Sequence, residues 1–130
     1  MKKKFVDSIL PFQIDSKNLR GRFARVEKVI SDTLKNHQFP DEVSVLLIEA
    51  LLLTILIGEM IKIRWRLSLQ IRGSGSIKLL ATDYFAPREG GKPARVRAYA
   101  DYDKDAKHLN LGSGLFAITI DQGKKMEPYQ

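Results

Sequence analysis

The stretch from Val43 to Ile63 constrains this chain more than any other. It is apolar nearly all round at helical length, interrupted by Ser44, Glu49, Thr54, Gly58, Glu59 and Lys62. A helix crossing a bilayer needs about 20 predominantly apolar residues with few charges. Each charge at midspan costs about 2.5–3.5 kcal/mol on insertion scales. Glu49 sits in mid-run and Glu59 and Lys62 follow, so no membrane partner is expected. A helix greasy on every side is then one enclosed within a soluble domain. Its start is marked by Pro40 at a first-turn position and by Asp41 and Glu42, whose charges suit the positive end of the helix dipole.

Glu49 stands out on that helix. Its helical neighbours Val45, Leu46, Leu52 and Leu53 are apolar, so its carboxylate is expected to be shielded from water. A shielded carboxylate must find a cation or keep its proton. No second carboxylate, histidine or nucleophile stands at a motif spacing from it, which favours a structural ion pair over acid–base chemistry. The expected partner is Arg20, or Arg22, on the strand that precedes the helices.

The rest of the chain supplies what the helix packs against. Ile9, Leu10, Phe12 and Ile14 form an apolar patch broken by Pro11, expected to pack on something because an exposed patch invites aggregation. Leu19 to Val26 alternates as a strand does, and Glu27 to Asn36 places Val29, Ile30, Thr33 and Leu34 at helical spacing. After the long helix, Trp65, Leu67, Leu69 and Ile71 share one strand face, with Arg64, Arg66, Ser68, Gln70 and Arg72 on the other. Gly73-Ser74-Gly75-Ser76 makes a hairpin returning through Ile77 to Thr82. Pro87 to Pro93 is a loop, Ala94 to Ala100 a strand, and Asp101 to Asn110 a polar excursion with a helical turn. A last strand follows, apolar on both faces (Leu115 and Ala117 against Phe116, Ile118 and Ile120), and is expected to be covered from both sides. The order predicts an α+β domain: stacked, mostly antiparallel sheets with a long buried apolar helix and a shorter one.

Composition bounds the function. The 130 residues make one domain, with 44% hydrophobic and 28% charged residues, ordinary globular values. There is no cysteine, which removes disulfides, thiolate nucleophiles and zinc–thiolate sites from this chain. Met1-Lys2-Lys3-Lys4 is basic, but Asp7 interrupts any apolar run after it, so no secretory signal is read and the expected location is cytoplasmic. The net charge of +7, from 22 basic and 15 acidic residues, makes anionic partners worth weighing.

Several constellations imitate chemistry. Gly73-Ser74-Gly75 and Gly112-Ser113-Gly114 resemble phosphate loops, but neither carries the lysine–serine tail or opens a helix. Asp101, Asp103 and Asp105 alternate like calcium ligands, while the glycine and distal glutamate of that loop are replaced by Ala106 and Gly112. His37 and His108 are isolated. Arg64, Arg66, Arg72, Lys78, Arg95 and Arg97 could form a basic sheet face for RNA, with Tyr99 as a stacking platform. A solvated or acid-paired face explains the same residues more simply. No active site is found, no cofactor or metal is expected, and the chain reads as a non-enzyme.

The ordered motifs resemble the heat-shock protein 33 family from about Leu10 to Gln130. The pieces are Arg20-Gly21, the helix with Glu49 and Leu51-Leu52, and the hairpin Leu67-x-Leu69-Gln70-Ile71-x-Gly73-x-Gly75. Arg97-x-Tyr99-Ala100 follows, then Ala117-Ile118-Thr119-Ile120-Asp121-Gln122-Gly123 with Met126-Glu127 and Tyr129-Gln130. The glycines at 21, 73, 75, 112, 114 and 123 are read as family-motif turns. The resemblance implies a cytoplasmic stress-response chaperone, an ATP-independent holdase that binds unfolded proteins and often dimerises. It also implies a linker and a cysteine domain that binds zinc and acts as a redox switch. Residues 1–130 therefore read as a single, incomplete amino-terminal core domain without zinc or switch. Ile63-Arg64-Trp65, Pro128, Ala98, Ser74 and Ser113 depart from the family's usual residues. The uncovered sheet edges expected here favour a homodimer or larger species, and no client-binding residue is assigned from the sequence.

Overall fold

The computed structural model describes residues 7–123 and residue 130. Leu10, Phe12 and Ile14 alternate with Ile9, Pro11 and Gln13, the period of two that suits a strand, and form β1 (Ser8–Ile14). The chain turns through a short 3-10 segment, Asp15–Lys17, and through Asn18, which is left-handed at φ 48°. Asparagine tolerates that conformation better than most side chains. Strand β2 (Leu19–Arg25) returns antiparallel to β1 from Ile14↔Leu19 to Ser8↔Arg25. Helix α1 (Lys28–Leu34) and helix α2 (Asp41–Met60) follow. Pro40 caps α2, and its carbonyl accepts the Ser44 N–H at 2.9 Å.

Four strands complete the domain: β3 (Arg66–Gly73), β4 (Ile77–Phe85), β5 (Arg95–Tyr102) and β6 (Gly114–Asp121). They form one antiparallel sheet in the order β5-β4-β3-β6. The class is α+β, with two antiparallel sheets and two helices. Helix α2 lies along the larger sheet, mostly over β4, and its other contacts reach β5, β3 and β2. Val43 and Leu47 of α2 pack with Ile77, Leu80, Ala98 and Ala100 of the sheet into one core cluster. Leu67 and Leu69 of β3 are likewise sealed from solvent. Each such leucine contributes about 1.5–3 kcal/mol through burial.

Several expectations are corrected. Helix α2 is buried along one side, through Val43, Leu47, Ala50, Leu51, Thr54, Ile55 and Gly58, rather than all round. Its outer face leaves Val45, Leu53 and Met60 exposed. By length and composition the helix could still cross a membrane; here one side of it is seated on a sheet. The helix ends at Met60 rather than Ile63, because Ile61 is already extended. Among the described residues strand β6 is an edge paired with β3 alone, and its start is not covered on either side: Leu115 is 74% exposed and Phe116 53%, while Ala117, Ile118 and Ile120 are half-buried. Trp65, expected to share a strand face with Leu67, Leu69 and Ile71, precedes β3 and is exposed, while Leu67 and Leu69 are buried. The polar excursion contains turns but no helix, and Asp101 belongs to β5.

Candidate interaction surface

The β1–β2 ribbon has two unlike faces. Register pairs Leu10 with Phe23, Phe12 with Gly21 and Ile14 with Leu19, so these six residues lie on one side of it. Ser8 and Arg25 pair on the same side at the far end of the ribbon; the five apolar side chains between them and the turn are between 43% and 59% exposed. The ring of Phe12 lies against the bare Cα of Gly21, where a Cβ would overlap it. Gly21 therefore serves a close contact in mid-strand, not a turn. The other side carries Ile9, Pro11, Gln13, Arg20, Arg22 and Ala24. Ile9 lines a cleft with Val26 and Val29, with Ile55 and Glu59 of α2 and with Tyr84, and Arg20 and Arg22 line another with Met60. Contrary to expectation, the apolar patch of residues 9–14 stays largely uncovered.

One side chain ties this ribbon to the helices. The Asp7 carboxylate accepts the N–H of Glu27 at 2.7 Å, of Lys28 at 3.1 Å and of Val29 at 2.8 Å. It thereby satisfies donors at the start of α1 that have no partner within the helix. The Glu27 hydrogen bond, chiefly, with those of Val29 and Lys28 and the Lys28 charge, holds the Asp7 carboxyl below its ordinary range against the opposing effect of burial.

The ion pair expected at Glu49 does not form. Glu49 lies on the outer face of α2 and is exposed, and no salt bridge joins it to Arg20 or Arg22 among the described residues. Of the apolar neighbours that suggested shielding, Val45 and Leu53 are themselves exposed, and Leu46 turns to the core. The polar group that α2 does bury is Thr54, whose hydroxyl donates to the Ala50 carbonyl at 2.8 Å and meets the Thr82 hydroxyl of β4. Beside it, the Tyr84 hydroxyl donates to Glu59 Oε1 at 3.0 Å. Burial, then the Glu59 hydrogen bond and charge, push the Tyr84 phenol upward.

The arginine stripe is largely tied up within the sheet. Arg97 forks onto Asp83 through Nε at 2.9 Å and an η nitrogen at 2.8 Å, and Ser68 donates to the same carboxylate. Arg66 reaches Asp121 at 3.8 Å. The guanidinium carbons of Arg95 and Arg97 lie 5.1 and 5.5 Å from the Phe85 ring centroid, close enough for cation–π attraction. Tyr99 is exposed beside them. The acid-paired reading of this face holds for Arg66 and Arg97.

The remaining glycines of the motif lie at strand ends and in turns. Gly73 ends β3, Gly75 lies in the hairpin turn, Gly112 is left-handed at φ 64° and Gly114 opens β6. The two Gly-Ser-Gly segments lie against each other: Ser74 N–H donates to the Ser113 carbonyl and Gly75 N–H to the Leu111 carbonyl. Gly123, at φ 113°, follows β6, while the Met126-to-Tyr129 part of the motif lies outside the described residues. His37 stacks on Phe39 with centroids 4.7 Å apart. No group of three His, Asp or Glu suited to a metal occurs among the described residues. The thiolate zinc site implied by the resemblance has no ligand in this chain, which holds no cysteine.

The sequence reading missed the ribbon. Leu10-x-Phe12-x-Ile14 and Leu19-x-Gly21-x-Phe23 are mirrored period-two runs about the turn formers Asp15, Ser16 and Asn18, a hairpin signature. Pro11 concealed it, although a strand without a second neighbour tolerates proline.

Fold and surface together define an α+β domain of antiparallel sheets that presents apolar faces to its surroundings. Its family is known. The chain belongs to the Hsp33 protein family, whose model matches residues 7–130. A 33 kDa chaperonin of Caulobacter vibrioides is 34% identical over 137 residues, covering 95% of this chain and 43% of that protein. A 33 kDa chaperonin of Haemophilus influenzae is 30% identical over 129 residues, covering 95% of this chain and 42% of that protein. One of Histophilus somni is 29% identical over 119 residues, covering 88% and 40%. The chain thus spans less than half the length of these relatives.

Proposed function

We propose that this chain acts as a holdase core: it binds unfolded polypeptides without ATP, in the cytoplasm, and keeps them from aggregating. The name 33 kDa chaperonin carried by its relatives supports the class. The observation that carries the reading is the apolar face of the β1–β2 ribbon, five large side chains each at least 43% exposed. Contiguous apolar surface on a folded protein marks an interaction site, and binding of this kind needs no reactive group. Residues 1–130 act as one core domain in this reading. With no thiol in the chain, binding is the same under reducing and oxidising conditions. The edge strand β6 and the uncovered face of α2 favour self-association, and sedimentation as a monomer at working concentration would remove that part of the proposal.

Light scattering of a thermally unfolding client, with and without this chain and without ATP, tests the reading. We expect equal suppression with and without oxidant. Replacing Leu10 and Phe23 by serine should reduce suppression severalfold while leaving the unfolding transition in place. Absence of suppression by the unaltered chain under both conditions would reject the reading. The RNA-binding alternative is weaker, because Arg66 and Arg97 of the basic sheet already face the carboxylates of Asp121 and Asp83.

A further inference from the structure

The ribbon differs from a merely greasy surface in its second side. Arg20 and Arg22 project from the face opposite Leu10, Phe12 and Phe23, and neither makes an ion pair or hydrogen bond among the described residues. They border a cleft of about 650 Å³ with Pro11, Phe12, Gln13, Gly21 and Met60, and no acidic residue lines it among the described residues. The acid nearest Arg20 along the ribbon, Asp15, accepts instead from the Gln13 amide. Along β2 from Leu19 to Phe23 the two free guanidiniums on one side therefore alternate with the apolar strip on the other.

An extended segment laid along such a ribbon continues both faces, because its successive side chains point to opposite sides. Its odd residues prolong the apolar strip and its even residues meet the arginines. β1 and β2 are hydrogen-bonded only to each other among the described residues. Unpaired strand edges invite an added strand. Pro11 has no N–H to donate and so weakens β1 as the acceptor of that strand.

Building on the holdase reading, we infer that the ribbon selects its clients: it prefers extended segments in which apolar and acidic residues alternate. Carboxylates at every second position face Arg20 and Arg22, while the apolar side chains between them extend the Leu10–Phe12–Phe23 strip. An apolar–basic alternation sets like charges against the same two guanidiniums. A segment of equal composition with its acids in one block cannot satisfy both faces at once.

The test uses the full chain and three fluorescent peptides the length of β2: alternating leucine–glutamate, alternating leucine–lysine, and the leucine–glutamate composition in two blocks. Fluorescence anisotropy should show the alternating acidic peptide binding about tenfold or more tightly than the basic one, from two exposed pairs gained and two repulsions avoided. The block peptide should bind several-fold more weakly. Arg20→Gln with Arg22→Gln should erase the preference while client suppression in light scattering persists, and raised salt should reduce it in the unaltered chain. Equal binding of all three peptides with client suppression intact would overturn the inference and leave the holdase reading standing. Loss of both peptide binding and suppression in the unaltered chain would overturn both. Displacement of the acidic peptide by an equal concentration of single-stranded RNA would overturn the inference in favour of a surface that tracks phosphates.

Discussion

The buried hydroxyl pair under α2 is directional. Thr54 has one proton and gives it to the Ala50 carbonyl, so in the contact with Thr82 the donor is Thr82. Thr82→Val strands no donor, because Thr54 keeps its bond to Ala50. Thr54→Val leaves the Thr82 proton without a partner in a fully buried site. A stranded buried group costs about 1–3 kcal/mol. We expect urea unfolding to show Thr54→Val destabilised by that amount, and both Thr82→Val and the double variant to be milder than Thr54→Val. Equal losses for the two single variants would contradict the assigned direction. At this scale the sequence misleads: Glu49 has the chemistry of a buried outlier, yet the side of the helix it occupies is fixed only by which leucines meet the sheet.

At the scale of elements, the two Gly-Ser-Gly segments act as one clasp joining the β3–β4 hairpin to the approach of β6. A Cβ on Gly73 would run into the backbone carbonyls of Ile77 and Leu111, which have little room to yield. Gly73→Ala should therefore destabilise by about 1–3 kcal/mol, as overpacking does. This exceeds the gain of a few tenths to 1 kcal/mol that such a change brings where the geometry permits it; thermal unfolding decides it. Helix α1, the hairpin and strands β2 to β5 were legible from their periods, and α2 and β6, apolar on every side, from their length and the glycine, proline or polar residues that bound them. The ribbon strand β1 was not, because Pro11 interrupts its pattern and a strand with one neighbour needs no long apolar run. Coverage was also illegible. Period two told which residues of β6 share a face, but not that α2 would lie mainly over β4 and leave Leu115 and Phe116 bare.

Across the whole molecule, the ribbon and the start of α1 are joined through Asp7. Its carboxyl is held below the usual range, so its contribution to stability is whole above about pH 4, the ordinary aspartate value. That contribution is lost as the pH falls through the lower folded value. Asp7→Ala should cost about 1 kcal/mol at neutral pH, as loss of a cap does. The gap between variant and parent should close on acidification; denaturant melts across the acid range, or amide exchange at Val29, read this directly. The pairing of β3 carries a consequence in time. Its two neighbours are made far apart in the chain: β4 follows after one tight turn, whereas Gly114 reaches Gly73 only when β4, the long loop and β5 have been synthesised. Contacts between distant residues form late. A nascent chain therefore carries β3 with one side unzipped while the ribosome is still producing its mate. Refolding should show β6 protected last, the closing stroke of assembly rather than its seed.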